Sequence, residues 1–420
     1  MRFRTNLSFA LAALFFGSLF GVANLATAAS TKVSAHWVGS WAASQQIPEP
    51  QNSLPPDELR DATLRQIVHL SIGGTFLRIH LSNAFGTAPL RIDSVHIARP
   101  LSASSDRIDV ATDRAVTFSG SPDVVIPAGA EYISDPIAFP VAALSNLAIT
   151  FHLDVPPARQ TGHPGSRATS YVAHGDLVSA AALPNPTKVD HWYQIAGVDV
   201  ASPPDATSIV VLGDSITDGH ATITNANDRW TDVLAQQLQG DPATRRIGVL
   251  NQGIGGNHLL VDGLGPNALA RFDRDVLAQA GVHYLIVLEG VNDLGGLTRQ
   301  GEVPLAAHEA LVHHIIGAYQ QIILRAHTHG IRVIGATIMP YAGSDYYHPT
   351  PLDETDRQQV NRWIRAPGNF DAVIDFAAIM RDPSHPDRLL PAYDSGDHLH
   401  PSPAGYRVMG KAVPFALFMQ

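Results

Sequence analysis

The sequence predicts two parts, an all-β sandwich followed by a three-layer α/β fold with a five-stranded parallel sheet. In the first part, apolar and polar residues alternate in TFLRIHLS (75–82) and NLAITFHLDV (146–155). Such alternation is typical of strands with one buried face. In the second part, short apolar runs alternate with helical stretches, which is typical of a parallel sheet covered by helices on both faces.

The all-β part is predicted to span residues 29–200, and the α/β part residues 201–420. Turn-rich segments such as NAFGTAPL (83–90) separate the alternating stretches of the first part, and no long helical pattern interrupts them. Short strands between frequent turns favour a sandwich with a jelly-roll-like arrangement. The segment VASPPDATS (200–208) is rich in proline and small residues, and it is the predicted linker between the two domains.

In the second part, the apolar runs that predict the parallel strands are SIVVL, IGVLN, YLIVLEG, IRVIGATIM and DAVIDF, in that order. Amphipathic stretches between them predict helices, of which the longest ends at Gly330. The last helix is predicted to begin after Ser402 as its N-cap. In an open parallel sheet, ligands bind beyond the carboxyl ends of the strands. The loops after the first three strands are therefore predicted to share one edge of the sheet.

Residues 1–28 are predicted to be a secretory signal peptide. A basic start, MRFRTN, precedes an uncharged apolar run, and Ala26-Thr27-Ala28 supplies the small-x-small cleavage pattern. The alternative is an uncleaved anchor, because about 20 apolar residues can span a bilayer. The cleavage pattern favours removal, so the mature protein is expected to be secreted or periplasmic, with no stable membrane insertion.

The composition excludes several classes of function. The chain has 28 Lys and Arg residues against 38 Asp and Glu residues, and its net charge of −10 does not suit nucleic acid or anionic lipid as a partner. The absence of Cys excludes disulfides, thiol catalysis and cysteine metal sites. No G-x-G-x-x-G occurs at the first strand–helix turn and no G-x-x-x-x-G-K occurs, so dinucleotide and P-loop sites are not predicted.

Residues suited to acyl transfer occur in loops at the predicted sheet edge and near the C-terminus. Ser215 follows the first strand, and serine becomes a good nucleophile when a nearby histidine takes its proton. His400 is the candidate base, and Asp397 is the candidate carboxylate that fixes the imidazole tautomer. The N–H groups of Ser215 and Gly256 and the amide of Asn292 are candidate donors to the oxyanion of a tetrahedral intermediate.

The blocks GDSITDG (213–219), GIGGN (253–257), GVND (290–293) and DHLHP (397–401) resemble the four ordered blocks of the SGNH (GDSL-type) hydrolases. The resemblance covers the chain from about residue 208 onward and implies a flavodoxin-like α/β domain. It also implies a catalytic triad and an oxyanion hole made of the five candidate residues, with no cofactor and no metal. With its β part in front, the whole chain further resembles a branch that contains acetylxylan esterases and arylesterases.

The resemblance implies an exported serine esterase that hydrolyses carboxylic esters through an acyl-enzyme. The expected substrates are small-molecule or polysaccharide esters with short acyl groups, such as acetylated polysaccharide. Aryl esters, short-chain lipid esters and lysophospholipids are the alternatives within the family. No nucleic acid is expected as a partner.

Two alternatives come from other classes. A dinuclear metallophosphoesterase uses pieces similar to Gly213-Asp214, Gly256-Asn257-His258 and His398-Leu399-His400, with metal-activated water as the nucleophile. Against it, the Asp-x-His motif that opens that family's pattern is missing, and the mechanism has no need of Asn292. A carbohydrate-binding protein, with the β part as its binding domain, is the second alternative.

Several residues near the blocks have competing interpretations. Ser215 alone could be only a helix N-cap. His398 competes with His400 for the role of base, and the Asp-x-x-His spacing of the family favours His400. Glu289 is expected to support the site from behind, and the segment YAGSDYYHPT (341–350) is expected to border it.

Overall fold

The computed structural model describes residues 35–419, so the predicted signal peptide lies outside the described residues. The described residues form one compact unit that contains both the β-rich part and the α/β part. The domain boundary near residue 200 stays a prediction. No helix within residues 35–419 is long and apolar enough to cross a membrane.

The β-rich part is built from antiparallel strands. These are β1 (His36–Ala42), β2 (Ala62–His69), β3 (Gly74–Ser82), β4 (Leu90–Ile92), β5 (Ser94–Pro100), β6 (Ile108–Ala115), β7 (Val124–Ile126), β8 (Glu131–Ile133), β9 (Ile137–Val141), β10 (Asn146–Leu153), β11 (Gly162–His163), β12 (Ser170–His174), β13 (Thr187–Val189), β14 (Trp192–Tyr193) and β15 (Ile195–Ser202). One sheet has the order β1-β15-β3-β8, with β9 also on β3, and the other has the order β13-β12-β2-β10-β5-β6. Short 3-10 helices lie at Pro50–Asn52 and Pro56–Leu59.

The two antiparallel sheets share one apolar core. Leu77, Ile79 and Leu81 of β3 are buried together with Ile149 and Phe151 of β10, although the two strands belong to different sheets. These are the apolar positions of the two alternating stretches, and period-two alternation places them on the inner faces. The predicted β-sandwich is therefore confirmed.

The α/β part has a five-stranded parallel sheet with the order β17-β16-β18-β19-β20. Its strands are β16 (Thr207–Gly213), β17 (Ile247–Gly253), β18 (Val282–Leu288), β19 (Arg332–Ala336) and β20 (Ala372–Ile374). Each predicted apolar run forms one of these strands. This order is the flavodoxin-like one, in which the chain reverses direction across the sheet next to the first strand. The loops after β16, β17 and β18 therefore meet at one edge, as predicted.

Helices cover this sheet. They are α1 (Ser215–Asp218), α2 (Trp230–Gln239), α3 (Ala268–Phe272), α4 (Val291–Thr298), α5 (Leu305–Thr328), α6 (Pro351–Arg365), α7 (Phe376–Met380) and α8 (Pro403–Ala412). The same part also contains a π-helical turn at Asp273–Leu277 and a 3-10 helix at Phe415–Phe418. Helix α5 ends two residues before Gly330, and the N-cap side chain of α8 is Ser402, which accepts a hydrogen bond from the N–H of Gly405 at 3.2 Å. Both helix ends agree with the sequence prediction.

The predicted linker at 200–208 is wrong at both of its ends. Val200 pairs with Val38 of β1 and with Leu77 of β3, so it belongs to β15. Strand β16 begins at Thr207, and only residues 203–206 lie between the two strands. The apolar side chain of Val200 is buried in the β core, which explains why the β pattern continues into the proline-containing segment.

Candidate active site

A strand–turn–helix segment positions Ser215. Strand β16 ends at Gly213, and Ser215 is the first residue of α1. Asp214 is the N-cap, because its side chain accepts a hydrogen bond from the N–H of Ile216 at 2.9 Å. The helix ends at Gly219, whose φ of 96° is a conformation that glycine adopts without strain. The interpretation of Ser215 as only an N-cap is therefore wrong.

Hydrogen bonds connect Ser215, His400 and Asp397 in a chain. Oγ of Ser215 lies 2.8 Å from Nε2 of His400, and Nδ1 of His400 lies 2.6 Å from Oδ2 of Asp397. The carboxylate can only accept, so the proton of the neutral imidazole lies on Nδ1 and Nε2 is left to accept from the serine hydroxyl. Ser215 and His400 are only 8% and 9% exposed, which shields the hydrogen bond between them, whereas the side chain of Asp397 is 42% exposed.

The charge of Asp397 is stabilised by the loop that carries it. Oδ1 accepts hydrogen bonds from the N–H groups of Leu399 at 3.0 Å and His400 at 2.8 Å. Burial by itself would raise the pKa of Asp397, but these bonds and the contact with the His400 ring outweigh it and hold the pKa well below its ordinary value. Asp397 is therefore ionised throughout the pH range in which a histidine base operates.

His398 lies away from Ser215. Its Nδ1 is 2.6 Å from Oδ2 of Asp394, and it has a φ of 59°. The turn that contains the two histidines thus directs His400 toward the nucleophile and His398 toward a different carboxylate. The structure therefore selects His400, as the Asp-x-x-His spacing predicts.

The amide of Asn292 is oriented by two hydrogen bonds. Its Nδ2 donates to the carbonyl of Asn257 at 2.6 Å, and its Oδ1 accepts from the hydroxyl of Tyr347 at 2.5 Å. An amide nitrogen carries two hydrogens, so the second one is left for a substrate. Gly256 lies in the turn after β17 and has a φ of 66°. Within residues 35–419, the N–H groups of Gly256 and Ser215 donate to no other protein group.

All five predicted site residues line one pocket of about 600 Å³. The complete lining is Ser215, His220, Gly255, Gly256, Leu264, Asn292, Asp345, Tyr346, Tyr347, Gly396, Asp397, Leu399 and His400. Its walls are largely apolar, with aliphatic side chains at Leu264 and Leu399 and rings at Tyr346 and Tyr347. The polar groups are few and include the catalytic ones, and the pocket is large enough for a ligand of several rings.

Sequence reasoning missed one ring contact in this pocket, that of His220. The ring of His220 packs on that of His400, with centroids 4.0 Å apart and an interplanar angle of 36°. Burial, with a smaller contribution from the charge of Arg167, lowers the pKa of His220 to about 4, so this ring is neutral near pH 7. His220 directly follows the GDSITDG block in the sequence, and this position could have identified it as a site residue. Tyr346 and Tyr347 come from the segment that was expected to border the site.

Buried acidic groups lie behind the nucleophile. Burial, with a smaller contribution from neighbouring carboxylates, raises the pKa of Asp214 to about 7. Burial, together with the charge of Asp214, raises the pKa of Glu289 well above its ordinary range. Arg271 contacts Glu289 at 3.4 Å and donates to the carbonyl of Gly213 at 3.0 Å. Glu289 thus contacts the end of β16 through Arg271, which is the supporting position that the sequence suggested.

Clusters of histidine and acidic side chains that could bind a metal bear on the metallophosphoesterase alternative. Within the described part of the chain, two groups have donor atoms that lie within 4.8 Å of one another. One is His220, Asp397 and His400, and the other is the buried group His308, Asp353 and Asp356. Of the residues on which that alternative depended, His400 belongs to the first group, whereas Asp214, His258 and His398 belong to neither.

The α/β part of the chain matches a protein-family model. Residues 211–408 match the model of the GDSL-like Lipase/Acylhydrolase family. This segment is therefore similar to GDSL-like hydrolase domains, and its parallel sheet with covering helices is an α/β fold. No curated protein matches the chain.

Solved structures of GDSL proteins and acetylxylan esterases are similar to about half of the chain. A G-D-S-L family protein from Desulfitobacterium hafniense is 26% identical, with 49% of this chain and 97% of that chain covered and a TM-score of 0.36. A GDSL-like lipase from Bacteroides thetaiotaomicron is 20% identical, with 50% and 88% covered and a TM-score of 0.38. An acetylxylan esterase from Geobacillus stearothermophilus is 22% identical, with 49% and 91% covered and a TM-score of 0.36.

Proposed function

We propose that this protein is an exported serine esterase that hydrolyses carboxylic esters with short acyl groups. The observation that carries the proposal is the chain of hydrogen bonds from Ser215 through His400 to Asp397 at the carboxyl end of β16. A serine bonded to a histidine whose other nitrogen faces a carboxylate has the geometry of an activated nucleophile. Export rests on the signal peptide predicted from the sequence.

In this mechanism, Oγ of Ser215 attacks the ester carbonyl carbon while Nε2 of His400 takes the hydroxyl proton. The carbonyl oxygen becomes an oxyanion, and the C–O bond to the alcohol breaks as His400 gives its proton to the leaving alkoxide. Water then attacks the acyl-enzyme, again with His400 as the base, and releases the acid. Asp397 stays ionised and stabilises the imidazolium that forms in each half-reaction.

The oxyanion is held by three donors in this proposal. They are the N–H groups of Ser215 and Gly256 and the second Nδ2 hydrogen of Asn292. Asn257 and Tyr347 orient the amide before substrate arrives, so little reorganisation accompanies the reaction. Preorganised donors of this kind stabilise the charge that develops in the transition state.

The alcohol part of the substrate is proposed to be a sugar residue of an acetylated polysaccharide. The pocket of about 600 Å³ exceeds the space that an acetyl group needs. Its tyrosine rings, Tyr346 and Tyr347, can pack against the apolar face of a sugar ring, and the nearby Asp345 can accept hydrogen bonds from sugar hydroxyls. Tyr346 is 54% exposed, and the Arg299 guanidinium lies 3.9 Å from its ring centroid. The ring also packs against Tyr347, with centroids 4.7 Å apart, and its exposed part is the proposed contact for an apolar sugar face.

Trapping the intermediate tests this proposal. The enzyme is mixed with p-nitrophenyl acetate, quenched in acid after less than one turnover, and analysed by mass spectrometry of its peptides. The expected result is a single acetyl group on the peptide that contains Ser215. Acetylated xylan oligosaccharides are then compared with p-nitrophenyl octanoate. A product burst without acetylation of Ser215 would contradict the mechanism, and a preference for octanoate would contradict the polysaccharide substrate.

A further inference from the structure

The β-rich part directly contacts the helix that carries Ser215. Helix α1 has four residues, and one helical turn is not stable by itself because helix nucleation is unfavourable. Its last residue, Asp218, has a side chain that is only 5% exposed. Oδ1 of Asp218 lies 2.8 Å from Nε2 of His163, which belongs to β11 of the β-rich part.

His163 is held in a defined orientation. Its Nδ1 lies 2.9 Å from the carbonyl oxygen of Ser44, and its ring stacks on Trp192 with centroids 5.7 Å apart and an interplanar angle of 29°. Trp41 packs edge-on against Trp192 at 4.9 Å. The imidazole therefore has a fixed position in the β-rich part before it meets Asp218.

The contact between His163 and Asp218 is a buried histidine–carboxylate hydrogen bond. Each ring nitrogen of His163 faces an acceptor, the Ser44 carbonyl on one side and the Asp218 carboxylate on the other. Charge-assisted hydrogen bonds are about twice as strong as neutral ones. Removing one partner from such a buried pair leaves an uncompensated charge, so the carboxylate would have to move.

The backbone on both sides of this pair is packed tightly. A Cβ at Gly165 would overlap Oδ2 of Asp218, so this glycine lets the β-rich chain approach the carboxylate. Arg229 donates from Nε to the carbonyl of Asp218 at 2.7 Å and from its guanidinium to the carbonyl of Ser166. The end of α1 is therefore bonded to the β-rich part both directly and through Arg229.

We propose that His163 is a positioning residue for Ser215, acting through Asp218 and helix α1. The β-rich part would then contribute to the geometry of the active site. The inference rests on the proposed esterase function, since its effect is read as a change in the rate of ester hydrolysis. A small displacement of the nucleophile lowers the rate of acyl transfer more than it weakens substrate binding.

The test compares His163→Ala with a matched control, His80→Ala. His80 is an equally buried histidine of the β-rich part, with Nε2 at 2.9 Å from Asp199 of β15, and its contacts lie within the sheet of β3. Both variants lose a buried histidine–carboxylate pair and are expected to be less stable than the wild type. We measure kcat and KM for p-nitrophenyl acetate, normalised to the enzyme that a fluorophosphonate probe titrates.

We expect kcat of His163→Ala to fall about 10²-fold, with KM within about threefold of the wild type, and kcat of His80→Ala to stay within about threefold. Asp218→Asn should lose less than His163→Ala, because an amide can still donate to a neutral imidazole. Equal kcat losses in His163→Ala and His80→Ala, or a wild-type kcat in His163→Ala, would overturn the inference.

Gly165→Ala keeps the inference testable if His163→Ala does not fold. The added methyl group displaces the Asp218 carboxylate while His163 remains, so kcat should fall with KM nearly unchanged, and a wild-type kcat would overturn the inference.

Ser215→Ala separates the two proposals. If the wild type is inactive, or if Ser215→Ala remains active, the esterase proposal fails. If Ser215→Ala alone is inactive and the other variants match the wild type, only the positioning role fails.

Discussion

At the residue scale, local spacing identifies the catalytic candidates, whereas their supports come from distant segments. Asp397 and His400 are three residues apart, so the loop alone brings them into contact. Tyr347 reaches Asn292 across 55 residues, and His163 reaches Asp218 across 55 residues. Single-sequence patterns carry no information on such pairs, since only the fold decides which segments meet.

Asn292 is expected to be important for the rate but not for the fold. In Asn292→Ala the substrate loses one preorganised donor, so kcat should fall about 10²-fold to 10³-fold. Tyr347→Phe keeps the amide and removes only the hydroxyl that orients it, so its loss should be smaller. Steady-state kinetics with p-nitrophenyl acetate measure both. A kcat of Asn292→Ala within threefold of the wild type would remove Asn292 from the oxyanion hole.

Asp214 is expected to make stability fall as pH rises. Burial raises its pKa from 3.8 to about 7, so the folded protein keeps a proton that the unfolded chain releases over that range. The free energy of unfolding therefore decreases with pH across this window. Asp214→Asn removes the titration and keeps an N-cap acceptor.

Urea unfolding at about pH 4 and about pH 7 measures this effect. The free energy of unfolding of Asp214→Asn, relative to that of the wild type, should be higher at pH 7 than at pH 4. An equal difference at the two pH values would show that Asp214 is not protonated in the folded protein.

At the element scale, the parallel strands and the longer helices were predictable because their apolar patterns are strong. The linker was not, since proline and small residues at 203–206 form only a short connection between two buried strands. The pattern of apolar and polar residues alone does not reveal that Val200 pairs within the β-sandwich. The boundaries of elements thus depended on pairing partners that lie far away in the chain.

Gly290 is expected to be essential for the start of α4. Its φ of 108° is strained for other residues, and an added Cβ would lie 3.1 Å from the hydroxyl of Tyr319. Gly290→Ala should therefore lower the free energy of unfolding by about 1–3 kcal/mol and lower kcat, because Asn292 follows two residues later. Gly317 is the control, since it lies inside α5 and its Cβ would meet nothing within 4 Å.

Thermal and urea unfolding of the two glycine variants provide the comparison. Gly317→Ala should be more stable than the wild type by about 0.5–1 kcal/mol, because glycine is unfavourable in a helix interior. Stability of Gly290→Ala equal to that of the wild type would mean that this backbone conformation is not required.

At the scale of the whole molecule, the β-rich and α/β parts share backbone and side-chain contacts. The N–H of Gly39 in β1 donates to the carbonyl of Ala280 at 2.9 Å, and the hydroxyl of Ser71 accepts from the N–H of Val249 at 2.9 Å. Composition and pattern separate the two parts clearly, but they do not predict that the parts pack as one compact unit.

These contacts predict that the two parts unfold together. Tryptophan fluorescence, far-ultraviolet circular dichroism and residual esterase activity should give one coincident transition in urea. Two separate transitions, with activity lost in only one of them, would show that the β-rich part and the α/β part are independently stable.

The central claim is that Ser215 is the nucleophile of an esterase, and one measurement tests it most directly. The hydrolysis of p-nitrophenyl acetate is followed for the wild type and for Ser215→Ala, each with and without EDTA. The account predicts that the wild type is active in both conditions and that Ser215→Ala is inactive in both. Activity that survives in Ser215→Ala, or that EDTA removes from the wild type, would contradict it.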